Sequence, residues 1–251
     1  MAFETSISTY DETSVELAGL DLTEEVMGEL DFASVTYLLV TGERPTPGER
    51  TVLNGMLTSL IAHGVTPHAI TTRLTLLTAP ESIQGAVAAG LLGTGRRFLG
   101  SMEDTSRALA RVTDPDGDLD DPDGLAAEYV ASGRPFPGIG HPHHDPVDPR
   151  AQRLFDLADE HDVAGENVAA LRAVQARLES ETGASLPINV TGAIGAISAD
   201  MGMPPRAARG IAMLSRAAGL IAEALEEERN PQAMGYWELI QEQTEYSPPE
   251  R

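Results

Sequence analysis

Arg134-Pro-Phe-Pro-Gly-Ile-Gly-His-Pro-His-His-Asp-Pro-Val-Asp-Pro-Arg150 is the stretch on which the reading of this 251-residue chain turns. Five prolines in seventeen residues rule out a continuous helix and make the segment rigid and irregular. Gly138 and Gly140 flank Ile139 and let the backbone approach a ligand closely. His141 follows directly. At the far end Asp148 reads as a helix cap, Pro149 suits the first helical position, and Arg150 falls in the first turn. An arginine beside helix N-terminal amides suits a carboxylate or a phosphate. It also reads as a surface ion pair with one of many acids, and taken alone the plainer reading is the stronger. His141, His143, His144 and Asp145 have the look of a metal cluster, yet the alternating prolines restrict how they converge, and no metal is expected.

Outward from this segment the chain reads as helices. Downstream, a helix runs from Pro149 to about Glu160 and another from about Gly165 to Glu181. Pro187 precedes a helix from Ile188 to about Met201. Pro204-Pro205 opens a last long one with Ala208, Ile211, Ser215, Ala218 and Leu225 on its apolar side. Upstream, Asp31 reads as an N-cap, with Thr41-Gly42 as the stop. A helix opens at Glu49, with Val52, Leu53, Met56, Leu57, Leu60 and Ile61 on one face. It is expected to end at His63, with Gly64 as its C-cap and Thr66-Pro67 blocking continuation. Residues 81–110 read as one or two helices, the first with Gly85, Ala86, Ala89, Gly90 and Gly93 at spacings that permit close helix contact. Asp114–Gly124, with six aspartates and two prolines in eleven residues, reads as a solvated loop. It lacks the glutamate that a calcium loop needs at its twelfth position, where Leu125 stands. No stretch shows sustained strand alternation, so the class is all-α.

Composition narrows the functional classes. The hydrophobic share of 41% is enough for a core, while aromatics are only 4%. Cysteine is absent, which excludes disulfides, zinc–thiolate sites and thiol nucleophiles. Lysine is absent too, and the net charge is -22. Such a surface repels nucleic acid and anionic membranes. An anionic ligand must therefore be gripped by a local group of arginines. No apolar run reaches the ~20 residues of a membrane span and no leader is apparent, so a cytoplasmic location is expected. A phosphate loop, a dinucleotide fingerprint and a nucleophile elbow are all lacking.

Four segments, in order, resemble the citrate synthase superfamily. They are Asp31-Phe-Ala-Ser-Val-Thr-Tyr-Leu-Leu-Val-Thr-Gly-Glu-Arg-Pro-Thr46, then Phe136-Pro-Gly-Ile-Gly-His141 with Asp148-Pro-Arg150, then Pro187-Ile-Asn-Val190, and Leu214-Ser-Arg216-Ala-Ala-Gly219. The short length and Gly90-Leu-Leu-Gly-Thr-Gly-Arg-Arg-Phe-Leu-Gly100 resemble the citryl-CoA lyases and the synthase-homology region of ATP-citrate lyase. Phe98 stands where synthases have a histidine that assists enolisation.

The resemblance implies a citrate-synthase-like fold. A large helical lobe (1–103 and 187–251) would carry an inserted smaller helical lobe (104–186) that closes over CoA, in a homodimer. It implies a CoA thioester and a small di- or tricarboxylate as ligands, with no tightly bound cofactor. His63 matches the histidine that binds the oxaloacetate part, although as a helix-terminal residue it reads equally well as a surface histidine. His141 matches the donor to the keto or hydroxyl oxygen. Arg150 and Arg216 match the carboxylate clamps. Gly138 and Gly140 shape the backbone, and Arg96, Arg97, Arg134 and Arg153 are candidates for the CoA phosphates. The chain departs from the pattern at Thr191, where the family has its catalytic aspartate. A threonine hydroxyl cannot act as general base near neutral pH, and Asp200, nine residues on, is no obvious substitute. The expected activity is to make or break the C–C bond between an acetyl-CoA-type enolate and an oxaloacetate-like keto acid. Thr191 keeps two alternatives open: a non-catalytic CoA-ester binder, and a lyase or synthase for another acyl-CoA.

Overall fold

The computed structural model describes residues 3–140 and 146–249, with backbone alone described at 97 and 98. Eleven α-helices dominate the described residues. No described helix is long and apolar enough to cross a membrane. The chain forms two compact units, Met1–Ser59 with Gly100–Ile211 and Leu60–Leu99 with Ala212–Arg251. Neither set of boundaries coincides with the lobe edges expected at 103/104 and 186/187.

In the first unit the chain opens with a small antiparallel sheet that the sequence reading did not anticipate. Its strands are β1 (Ser8–Tyr10), β2 (Val15–Leu17) and β3 (Leu20–Asp21), in register Thr9 with Glu16 and Leu17 with Leu20. Ala18 and Gly19, with φ of 50° and 80°, make the tight turn whose twist suits a two-residue hairpin. Most of the sheet is exposed, so no apolar alternation marks it.

Helix α1 (Phe32–Thr41) is capped by Asp31, which accepts a hydrogen bond from the Ser34 amide at 2.8 Å, and it stops at Gly42 with φ 82°. Both ends are as expected. Helix α2 (Pro47–Ser59) starts with a reciprocal cap: the Glu49 amide donates to Thr46 Oγ1, and the Thr46 amide donates to Glu49 Oε2. Helix α5 (Ser101–Thr113) leads to the aspartate-rich loop. There Arg111 grips Asp118 and Glu128. Helix α6 (Pro122–Ser132), capped by Asp121, was not anticipated. Helices α7 (Pro149–Glu160) and α8 (Glu166–Thr182) lie where the sequence put them.

Helix α9 (Val190–Asp200) is the axis of this unit, buried on nearly every side. A helix apolar all round must be enclosed by others, and α5, α7 and α8 enclose it. Its glycines set the spacing: a Cβ at Gly195 would stand 2.6 Å from the Met102 carbonyl oxygen. Asp200 at its end caps α8, accepting hydrogen bonds from the amides of Gly165, Asn167 and Val168 at 2.7, 2.8 and 3.0 Å.

In the second unit α3 (Pro67–Thr78) packs on α4 (Ile83–Leu92) through Gly90, where a Cβ would collide with Thr72 Oγ1 and lie 2.9 Å from the His68 carbonyl oxygen. The run of small residues is thus a close helix–helix contact. Leu76, Ala86 and Ala224 form a core cluster there. Helix α10 (Pro205–Arg229) runs through both units, and α11 (Ala233–Glu242), also unanticipated, ends the fold. The Arg73 guanidinium is buried. Its Nε donates to Glu223 at 2.7 Å, its Nη1 to Glu227 at 3.0 Å, and its Nη2 to Glu226. Glu227 in turn accepts from the Gln232 and Ala233 amides, which fixes the turn from α10 into α11.

Candidate active site

The Gly-Ile-Gly and Pro-Ile-Asn segments, about fifty residues apart in sequence, pair with each other. Ile139 bridges Ile188 in antiparallel fashion, the Gly140 amide donates to the Pro187 carbonyl at 2.7 Å, and the Asn189 amide donates to the Gly138 carbonyl at 3.0 Å. This pairing starts α9 at Val190 rather than at Ile188, because residue 188 is held extended. Gly138 and Gly140 have φ of 82° and 90°, a region that glycine enters without strain.

Asn189 caps α9. Its Oδ1 accepts from the amides of Thr191 at 3.0 Å and Gly192 at 3.2 Å, and its Nδ2 donates to the Gly140 carbonyl at 2.8 Å. Through that bond α9 fixes the backbone as far as Gly140. His141 itself, with His143, His144 and Asp145, lies outside the described residues.

Asp148 is fully buried and accepts four hydrogen bonds. Three come from Arg150, through its amide at 3.0 Å, its Nε at 3.1 Å and its Nη2 at 2.9 Å. The fourth comes from the Val190 amide at 3.0 Å. Burial pushes the carboxyl pKa up, but the Arg150 guanidinium and the two amides outweigh it and hold the group below the usual carboxylate value. Asp148 therefore ties the start of α7 to the start of α9. The Nε–Nη2 edge of Arg150 is committed to Asp148. A cleft of about 360 Å³ borders Arg150 and Arg153, together with Thr58, Ser59 and Pro149. Arg153 pairs with Glu160 at 2.9 Å. Arg134 lies 5.6 Å over the Tyr129 ring.

Thr191 carries no carboxylate chemistry, but its hydroxyl is ordered. Thr191 Oγ1 donates to Asn189 Oδ1 at 2.6 Å and accepts from Ser101 Oγ at 2.8 Å. Asp200, used as the α8 cap, is not available to stand in for the missing carboxylate.

The second unit holds His63, Arg96, Arg97 and Arg216. His63 is not at a helix end: α2 stops at Ser59, and His63 is exposed in the loop that follows. Two glycines account for that loop. Gly64 turns it with φ 67°, and Gly219 on α10 lets the Ile61 carbonyl lie directly on the helix, where any Cβ would collide with it. Gly219 is one turn beyond Arg216, which is 6% exposed.

His68 was not anticipated as a site residue. It is 2% exposed, in the first turn of α3. Burial, then the positive charge of Arg216, then His63, push its pKa down to about 4. His63, His68 and Arg216 therefore form one electrostatic group. In sequence the only sign of His68 was its place just after Thr66-Pro67, a pair that starts a helix as well as blocking one. Arg96 is exposed, and the Arg97 side chain lies outside the described residues. Among the described residues no group of three acidic or histidine side chains could hold a metal ion.

Residues 44–237 match the family model for the citrate synthase C-terminal domain. The chain belongs to the citrate synthase family. Its fold matches citryl-CoA lyase from Hydrogenobacter thermophilus at 30% identity and a TM-score of 0.91, over 100% of this chain and 97% of that one. It matches Methanosaeta concilii ATP citrate lyase, solved with (3S)-citryl-CoA, at 21% identity and a TM-score of 0.80. That match covers all of this chain but 42% of the other. The citrate synthase of Thermoplasma acidophilum matches at 18% identity and a TM-score of 0.68, over 88% of this chain and 58% of that one. Comparison with curated protein sequences gives no match. The all-α, citrate-synthase-like class expected from the sequence is thus the observed one.

Proposed function

We propose that the protein makes or breaks the C–C bond of a 3-hydroxy-3-carboxyacyl-CoA such as citryl-CoA, with an oxaloacetate-like keto acid and an acetyl-CoA-type thioester as the other side of the reaction. The observation that carries this reading is the grouping of His63, His68 and buried Arg216. It sets one buried guanidinium beside two imidazoles in a chain of net charge -22, and a carboxylate needs such a local cation. The full-length likeness to a citryl-CoA lyase supports it.

In the cleavage direction the tertiary hydroxyl gives its proton to His141. The C–C electron pair passes to the thioester as an enolate, and the enolate takes a proton at carbon. His63 and Arg216 hold carboxylates. Arg150 holds another. The developing enolate oxygen needs fixed donors. Arg96, Arg97, Arg134 and Arg153 bind CoA phosphates, and residues 104–186 form the part that covers the CoA. The coenzyme A thioester is a substrate rather than a bound cofactor.

Two further features belong to this proposal. Leu214, Ile221, Leu225, Met234, Trp237 and Ile240 are exposed on α10 and α11. An apolar surface of this kind fits a homodimer. The acidic surface fits a cytoplasmic protein with no nucleic acid or membrane partner.

Thr191 favours one alternative, a lyase or synthase acting on a different acyl-CoA, because its proton is committed to Asn189. The test is incubation with citryl-CoA, and separately with oxaloacetate and acetyl-CoA, following free thiol and thioester. Turnover in either direction is expected. No turnover with retained CoA binding would sink the enzymatic reading for citrate. A Thr191→Asp variant with raised turnover would place the change in the proton-transfer step alone.

A further inference from the structure

Of the two glycines of α10, Gly210 faces open space while Gly219 faces the Ile61 carbonyl. A Cβ at Gly219 would collide with that oxygen and lie 2.8 Å from the carbonyl carbon. Both are main-chain atoms, which no rotamer change can move aside. Residues 61–65 are exposed. A cleft of about 380 Å³ opens beside the contact, lined by Ile61 and Ala62 from the loop and by Ala218, Ala222 and Glu223 from α10. The loop is thus seated on the helix at Gly219, with room beside the seat to shift.

That seat bears on the carboxylate-binding group, and all of it lies in the second unit. Arg216 stands three residues before Gly219, a rise of about 4.5 Å along the same face of the helix. His63 stands two residues after Ile61, a reach of about 7 Å at most. The contact therefore brings His63 close to the turn that carries the buried Arg216. The electrostatics agree, since Arg216 and His63 both lower the pKa of His68.

We infer that Gly219 is a positioning residue: the seat it makes for the Ile61 carbonyl sets where His63 stands against Arg216. The inference rests on the reading proposed above, in which those two side chains hold substrate carboxylates. Gly219 acts through His63. An alanine there lifts the loop off the helix and carries His63 away from the guanidinium.

The experiment is a double-mutant cycle on Gly219→Ala and His63→Gln, read by NMR titration of the His68 imidazole and by calorimetry with oxaloacetate. Gly219→Ala is expected to raise the His68 pKa from about 4, because the charge of His63 moves off. His63→Gln should raise it too, and the double variant should go no further than His63→Gln alone. Oxaloacetate binding should weaken by about 10–100-fold in each single variant, the worth of one hydrogen bond to a charged group, and no further in the double. Gly235→Ala, on α11 where nothing lies within 4 Å of a Cβ, should leave both readouts unchanged. Additive effects of the two substitutions, or a Gly219→Ala protein with wild-type titration and affinity, would overturn the positioning role. Should Gly219→Ala not fold, His63→Gln alone decides: a raised His68 pKa supports the seat and an unchanged one overturns it. A wild type that binds no oxaloacetate would sink the carboxylate reading, while the His68 titrations would still judge the placement of His63.

Discussion

Gly138 and Gly192 meet backbone to backbone. A Cβ on Gly192 would lie 2.9 Å from both the carbonyl carbon and the Cα of Gly138, and closer still to its carbonyl oxygen. No side-chain rotation can relieve a clash with main-chain atoms. Gly192→Ala must push the Gly-Ile-Gly strand off α9, which loosens the Asn189 contacts that hold the peptide before His141. Overpacking of this kind costs about 1–3 kcal/mol, so the melting temperature should fall by about 3–10 °C. Gly210→Ala is the control. Nothing lies within 4 Å of a Cβ there, and alanine in mid-helix should stabilise by about 0.5–1 kcal/mol. Thermal melts of the two variants check the pair of expectations.

Asp148 carries an acid sensitivity. Its folded pKa is held below the ordinary value of 3.8, so the unfolded chain takes up a proton before the folded one does. The stabilisation is complete above about pH 4 and is lost as the pH falls through the lower folded value. Asp148→Asn removes a carboxylate that accepts three hydrogen bonds from Arg150 and one from Val190. It should cost roughly 3 kcal/mol at pH 7. Between pH 5 and pH 3 the variant should lose less stability than the wild type. Denaturant melts across that range measure the difference, and parallel curves would refute the assignment.

Arg73 is the counter-charge for three glutamates on α10. Arg73→Met keeps much of the volume but leaves Glu223, Glu226 and Glu227 facing one another. Removing one partner from a buried ionic cluster costs about 3–5 kcal/mol. Glu226 is more than half exposed, so part of the repulsion is open to screening, and 1 M salt should recover some of the loss. Melts of the variant at low and high salt test this, with the wild type expected to change little.

Much of this molecule was legible in its sequence where one local interaction decides the outcome. The Asp31 cap, the Gly42 stop and the Asp148-Pro149 start of α7 follow from residues within a turn of each other. What stayed hidden was settled at long range. Helix α2 stops at Ser59 although apolar spacing continues to Ile61, and the Ile61 carbonyl rests on Gly219, more than 150 positions away. Asp200 reads as a helix-end aspartate until its bonds to Gly165 and Val168 are seen. Nothing near Thr191 in sequence announces its hydroxyl partner Ser101, ninety positions earlier. The N-terminal sheet has an exposed face, so burial left no period in its sequence. The site residues recognised by family pattern divide between two units, and a pattern match carries no information about that division.

His68 makes the second unit sensitive to acid. Its pKa is pushed down from 6.5 to about 4 by burial, then by Arg216, then by His63, so the folded protein keeps it neutral at pH 7. Below about pH 6.5 the unfolded chain binds a proton that the folded chain refuses. Stability should therefore fall as the pH drops from 6.5 to about 4, by about 3 kcal/mol in total, and then level off. His68→Gln should flatten that slope. A bound carboxylate that neutralises Arg216 removes one of the causes of the shift, so citrate or oxaloacetate should raise the His68 pKa, and the folded protein should take up a fraction of a proton on binding at pH 5. Calorimetry in two buffers of different ionisation enthalpy measures that uptake directly. Ligand binding at pH 5 with no proton uptake in the wild type, or with the same uptake in His68→Gln, would separate His68 from the carboxylate-binding group.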